Sequence, residues 1–208
     1  MSKPDWEGAK TYILARLERG LSPDLRYHNI HHTRDDVLPA VERLAALANV
    51  PEADSLLLRT AALYHDTGYL EQYTNHESVG VRIAQETLPD FGYSPDQIAV
   101  VTRMILATGM PQTPKTFLEA LLCDADLDSL GREDYLLTSH NLYAELETRG
   151  ASITPEAWYR RQLDFLSAHT YFTDVAQNLR NNGKQENILL LHKLLATLGS
   201  PPDKVQKK

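Results

Sequence analysis

Apolar residues recur at helical spacing along almost the whole chain, and no stretch alternates apolar and polar residues for long enough to make a strand. Val37, Val41, Leu44 and Ala48 step by four, three and four. Val79 and Ile83, then Ile98, Val101 and Ile105, repeat the step. A chain built only of amphipathic helices can hide its apolar stripes only against other helices, so the spacing predicts an all-α bundle. Start and stop signals divide it into about nine helices. The first runs roughly from Asp5 to Arg19 and stops at Gly20, the second from about His31 to Ala48, and the third from Pro51 to Asp66. The fourth begins at Asn75 or His76 and ends before Pro89. The fifth opens at Ser94-Pro95, a cap followed by proline, and ends near Thr108. The sixth spans about Pro114 to Leu130, the seventh Arg132 to Thr148, and the eighth opens at Thr154-Pro155-Glu156. The ninth fills Asp174 to Leu198, with Gly183 as a candidate break. No internal repeat or low-complexity linker interrupts this order. The expectation is a single helical domain over residues 1–199, followed by a flexible, proline-marked polar tail at 200–208.

At 208 residues the chain can bury a substantial core without a staple. Lys and Arg number 21 against 28 Asp and Glu, a formal charge of −7, which excludes a face that tracks the phosphates of duplex nucleic acid. A local basic pocket for one small phosphate compound stays compatible with that charge. Cys123 is the one cysteine, so neither a disulfide framework nor a cysteine-based zinc site is available, and a reducing compartment is expected. The first residues are polar, without a signal-peptide core. The longest purely aliphatic run, Ile188 to Leu191, falls far short of the ~20 residues a membrane helix needs. These features predict a cytoplasmic protein without a membrane partner; they leave the oligomeric state open.

Three places concentrate metal-capable side chains. Tyr27-His28-Asn29-Ile30-His31-His32 stands at the entrance to the second helix. Tyr64-His65-Asp66-Thr67-Gly68 closes the third. Cys123-Asp124-Ala125-Asp126-Leu127-Asp128 lies in the sixth. His65-Asp66 is the most telling, because it ends an apolar face of Leu58, Ala61 and Ala62. A buried aspartate beside a buried histidine is costly unless something pairs them, and a metal ion is an economical partner. A pair of this kind is more often a capped helix end, an aspartate pair a solvated face, and a histidine-rich turn a surface; the three together in this order favour a metal centre. Imidazole and carboxylate ligands suit Mn, Fe, Co, Ni, Zn or Mg as divalent ions without choosing between them.

With its His, then His-Asp, then distant Asp on a helical chain, the sequence resembles the HD superfamily of metal-dependent phosphohydrolases over Tyr27 to Gly131. The resemblance implies a divalent metal held by His32, His65, Asp66 and Asp126. Asp126 is preferred to Asp124 because Ala125-Asp126-Leu127-Asp128 is similar to the family's last motif. Asp124 would then stand behind the ligands or compete for that role. Tyr27-His28-Asn29-Ile30-His31-His32 matches the Tyr-His-Asn-x-x-His signature of the cyclic-nucleotide phosphodiesterase branch. In that branch the last histidine binds metal and the first protonates the leaving oxygen, which implies His28 as general acid. Asp66 would both ligate metal and hold the attacking water. His31 and His76 are candidates for an outer role or a second metal. The chain departs from the branch after its His-Asp pair, where it reads Thr67-Gly68-Tyr69-Leu70, and at Leu106-Ala107-Thr108-Gly109, where binuclear relatives carry a histidine pair.

Phosphate-holding cations are sought in Arg103, Lys115, Arg180 and Lys184, with Arg160 and Arg161 in the same pool. The polar run Arg180 to Asn187 is expected at the pocket mouth. The expected function is hydrolysis of a phosphoester in a nucleotide or related small phosphate compound, with phosphodiesterase-like chemistry favoured. Nucleotidase or nucleoside-triphosphate hydrolase activity is the alternative. A non-catalytic, metal-stabilised signalling module is the alternative from another class.

Overall fold

The computed structural model describes residues 4–198; the polar tail expected at 200–208 lies outside the described residues. The architecture is all-α, with no strand among the described residues. The helices are α1 (Trp6–Gly20), α2 (Leu38–Leu47), α3 (Glu52–Tyr64), α4 (His76–Thr87), α5 (Pro95–Ala107), α6 (Phe117–Asp126), α7 (Tyr135–Thr148), α8 (Pro155–Ala168) and α9 (Asp174–Leu198). Short 3-10 turns follow α3 (Thr67–Leu70), α4 (Leu88–Phe91) and α6 (Asp128–Gly131).

α3 is the central helix. Its Leu58, Ala61, Ala62, Leu63 and Tyr64 are fully buried, and it packs against α1, α2, α4, α5 and α6. Burying each such leucine stabilises the fold by roughly 1.5–3 kcal/mol, which ties the His65-Asp66 step at the end of this helix to the buried core. A second layer, in which α8 packs on α9 and α9 on the Asp128–Gly131 turn, covers the end of the bundle where α3 and α6 stop.

α6 ends at Asp126 rather than Leu130 and α7 starts at Tyr135 rather than Arg132, and three further departures from the sequence pattern have identifiable reasons. α2 does not begin as a regular helix: His32–Val37 forms a π-helical turn that runs into it, a wide turn often found at functional sites. α6 starts at Phe117 rather than near Pro114, because Thr116 closes a capping box with Glu119. α9 runs through Gly183 without a break. The glycine serves a close crossing, since a Cβ there would lie 2.2 Å from the carbonyl oxygen of Gly131. Its continuity braces the turn after α6. Arg180 grips Asp128 at 2.7 and 2.8 Å, and the Asn187 amide donates to the carbonyls of Leu130 and Arg132. The polar run expected at a pocket mouth is thus a structural clamp.

Candidate metal centre and its cavity

His65 continues α3 in helical conformation, and Asp66 leaves it at φ −101°, ψ 6°. This change of direction turns both side chains toward one point. The chain can then fold back tightly because residue 68 is glycine: a Cβ there would sit 1.8 Å from the His76 carbonyl oxygen. The π-helical turn brings His32 to the same point, and the last turn of α6 brings Asp126. His32 Nε2 lies 3.2 Å from Asp126 Oδ1 and 3.6 Å from Asp66 Oδ2. His65 Nε2 lies 3.2 Å from Asp66 Oδ2 and 3.6 Å from Asp126 Oδ1. Each of the four comes from a different turn of the fold except the adjacent pair.

The arrangement fits a cation. His65 Nδ1 is within 2.8 Å of the Ala62 carbonyl, to which it donates, so Nε2 offers its lone pair to the cluster. His65 Nε2 and Asp66 Oδ2 are nevertheless buried without a hydrogen-bond partner, the state expected of atoms shaped to ligate. Ligand atoms of His32, His65 and Asp66 lie within 4.8 Å of one another. The electrostatics agree. Burial pushes the His65 pKa down, but the charges of Asp66 and Asp126 overcome it and hold the imidazole well above its usual value. Both carboxyls are held low despite their burial: Asp66 chiefly by the charge of His65, Asp126 chiefly by its hydrogen bond with His32. Two ionised carboxylates, Asp66 buried and Asp126 partly buried, therefore demand positive charge, which a divalent ion supplies more fully than a proton.

Asp124 points elsewhere. Its oxygens accept from the Phe172 N–H (2.7 Å), the Thr173 N–H (2.9 Å) and the Thr173 hydroxyl (2.6 Å), which pins the start of α9 to α6. Two residues along a helix is about 200° of rotation, so the neighbours serve opposite sides. Gln112, which the sequence did not single out, lies 3.3 Å from Asp126 Oδ2 and leaves Oδ1 facing the histidines. His31 is on the surface, with Nδ1 2.7 Å from Asp35. His76 approaches the other oxygen of Asp66 at 3.2 Å.

His28 stands in the loop before the π-helical turn, not in the helix. Its Nδ1 is 2.6 Å from Glu145 Oε1, a fully buried carboxylate on α7. Glu145 also accepts from the backbone N–H groups of Tyr27 (2.8 Å) and His28 (3.0 Å) and from the Tyr73 hydroxyl (2.9 Å). Burial raises the Glu145 carboxyl, but these donors, His28 first, hold it below its usual value. An ionised carboxylate only accepts, so His28 Nδ1 carries the proton and Nε2 is left for the cavity. The ring is stacked on Tyr69 (centroids 4.4 Å apart), which stacks in turn on His76 at 4.0 Å. Glu145 was not foreseen. The available signal was its place beside Leu142 and Leu146 on one helical face, where a solvated glutamate does not belong.

His28, Asp66, Tyr69, His76 and Asp126 open on one cavity of about 430 Å³ that continues to Leu142, Trp158, Arg161 and Phe165. None of the four cations singled out from the sequence lines it. Arg180 is spent on Asp128, and the Lys184 ammonium on the His169 carbonyl. Arg103 lies 4.0 Å from Glu119, and the Lys115 backbone N–H donates to the same glutamate. Arg161, from the wider pool, is the only Lys or Arg lining the cavity among the described residues.

Comparison with known proteins yields two similarities. Residues 31–131 match the model of the HD domain family. The fold is similar to the crystal structure of a predicted HD superfamily hydrolase from an uncultured Thermotogales bacterium, at 18% identity and a TM-score of 0.63, with 94% of each chain covered. No curated protein sequence matches the chain. No helix among the described residues is long and apolar enough to cross a membrane.

Proposed function

We propose that this chain, whose residues 31–131 match the HD domain family, hydrolyses the phosphoester bond of a small molecule with the help of a divalent metal, with His28 as general acid. The observation that carries this reading is that Asp66 and Asp126 of the cluster and the Glu145-held imidazole of His28 line one cavity. A divalent ion bound by those four residues supplies Lewis acidity toward a phosphoryl oxygen and lowers the pKa of water. The chain does the rest. Glu145 fixes the His28 ring through Nδ1–H, so that a second proton, taken from solvent at Nε2, would be presented to the departing oxygen. Tyr69 fills one face of the ring and limits its tilt. A proton donor beside the centre suits an alkoxide leaving group, which favours phosphodiester or phosphomonoester cleavage over release of an already stable anion. The nucleotide substrate expected from the Tyr-His-Asn-x-x-His motif belongs to this class.

The test combines metal analysis with a panel of phosphoesters assayed in added Mn²⁺. Asp66→Ala should lose bound metal and most turnover; full metal occupancy in that variant would sink the centre as drawn. His28→Ala should keep the metal and lose roughly 10²–10⁴ in turnover. That loss should be large for an alkyl leaving group and small for an activated aryl one. Equal losses on both would remove His28 from the acid role.

A further inference from the structure

Beyond the metal cluster, the cavity changes character. Its far walls come from Leu130 in the turn after α6 and from Leu142, Leu146, Trp158 and Phe165 on α7 and α8. Polar groups occur among them, but three of their donors are spent inside the protein. The Trp158 indole N–H donates to Ser139 Oγ at 3.1 Å, the Tyr135 hydroxyl donates to Gln162 Oε1 at 3.0 Å, and the Thr138 hydroxyl donates to the Tyr135 carbonyl at 2.8 Å. A ligand lodged there meets hydrocarbon. A nucleobase, with donors and acceptors around its edge, would give up its water for few partners, a penalty of roughly 1–3 kcal/mol for each group left unpaired. A polyphosphate is opposed for a second reason. Glu77, Asp66 and Asp126 line the inner end, and Arg161 is the only Lys or Arg in the lining among the described residues. One metal and one arginine do not neutralise a triphosphate beside three carboxylates.

We propose that the substrate is an amphiphilic phosphoester: a single phosphate at the His32, His65, Asp66 and Asp126 cluster, carrying a hydrocarbon body, alkyl or aryl, that fills the chamber between α7 and α8. The placement of the phosphate rests on the function proposed above; the occupancy of the chamber rests on its walls. Arg161, exposed and with no partner in any hydrogen bond or ion pair among the described residues, is left to face solvent at the cavity's edge. A volume of about 430 Å³ lies within the range of small-molecule sites and accommodates a chain of several carbons or a ring system.

The probes are methyl-, butyl- and octylphosphonate, phenylphosphonate, adenosine 5′-monophosphate and a non-hydrolysable ATP analogue. Their binding to the full chain is measured by calorimetry with and without Mn²⁺. The Kd should fall about two- to fourfold per methylene from methyl to butyl, since each buried methylene contributes to transfer from water. Phenylphosphonate should bind at least about tenfold tighter than methylphosphonate, and neither adenine nucleotide should outbind octylphosphonate. The butyl and phenyl arms separate an alkyl from an aryl occupant. Leu142→Glu, which sets a carboxylate in the chamber wall, should flatten the chain-length dependence; Leu142→Trp, which fills the space, should do the same without adding charge. A flat series in the unaltered protein, a slope that survives both variants, or an adenine nucleotide binding tightest would each overturn the proposal. A steep, Leu142-dependent slope with no phosphoester hydrolysed would instead leave the chamber as assigned and overturn the phosphohydrolase reading.

Discussion

Glu145→Gln isolates the orientation of His28 from its presence. The wild-type carboxylate is fully buried and takes four donors: two backbone N–H groups, the His28 imidazole at 2.6 Å and the Tyr73 hydroxyl at 2.9 Å. A carboxamide has the same shape but one oxygen. If that oxygen stays with the N–H groups of Tyr27 and His28, its NH₂ faces Nδ1 and reverses the hydrogen bond, which puts the imidazole in the other tautomer. If it turns to His28, it leaves two backbone donors buried against an NH₂. A hydrogen bond to a charged group contributes roughly 1.5–3 kcal/mol, and 1.36 kcal/mol of barrier is tenfold in rate. Loss of the bond that holds the ring in place should therefore lower kcat about 10- to 100-fold on alkyl leaving groups. An activated aryl ester, whose leaving group hardly needs the proton, should lose less than about threefold. Steady-state kinetics on the two substrate types, with metal content and urea midpoint measured on the same preparations, separate this from unfolding. Wild-type kcat on the alkyl substrate, or an equal loss on both, would refute the account of Glu145 as the group that orients the acid.

Asp126→Asn should lower metal affinity far more than Asp124→Asn, read by titration with Mn²⁺. Asp124→Asn should instead lower the melting temperature, because it weakens three hydrogen bonds that fasten α9 to α6; the reverse ranking would show that the roles are exchanged. Burial, and then the charge of Lys184, pushes the His169 pKa down to about 4, and both ring nitrogens are buried without partners. The unfolded chain takes up this proton near pH 6.5 and the folded protein does not until about pH 4, so its contribution is intact above the first value and lost as pH falls between the two. Allowing for the partial exposure of the residue, that is roughly 1–2 kcal/mol. His169→Phe should reduce the acid sensitivity of the urea midpoint between pH 7 and pH 4.5, and an unchanged sensitivity would remove His169 as its source.

The bundle was legible because helices announce themselves locally. Ser94 and Gly20 mark helix ends by chemistry that needs no tertiary information. His65-Asp66 was legible for a related reason: its cost in an apolar helix is visible in the sequence itself. What escaped is what depends on long-range pairing. Arg180 reads as a candidate phosphate-holding cation, and only the fold sets Asp128 opposite it. Gly183 reads as a helix breaker, and only the crossing with Gly131 shows why a continuous helix needs it. Glu145 lies 117 residues from the histidine it holds, a separation no local pattern spans.

The division of labour follows the chain. His32, His65, Asp66 and Asp126 all fall within the residues 31–131 that match the HD domain family, on elements that meet at the buried centre of the bundle. His28 lies just before that region. Glu145, Trp158, Arg161 and Phe165 lie after it, on α7 and α8, in the layer laid over the end of the bundle. Metal ligation needs geometry good to a fraction of an ångström and so belongs with the core helices that tolerate least movement. In the proposed scheme the orientation of the proton donor and the shape of the substrate would be set by side chains of α7 and α8, where a substitution such as Leu142→Glu alters the chamber at a residue outside the metal cluster. If the proposal holds, the kind of group accepted beside the scissile phosphate is written outside the residues that match the HD domain family.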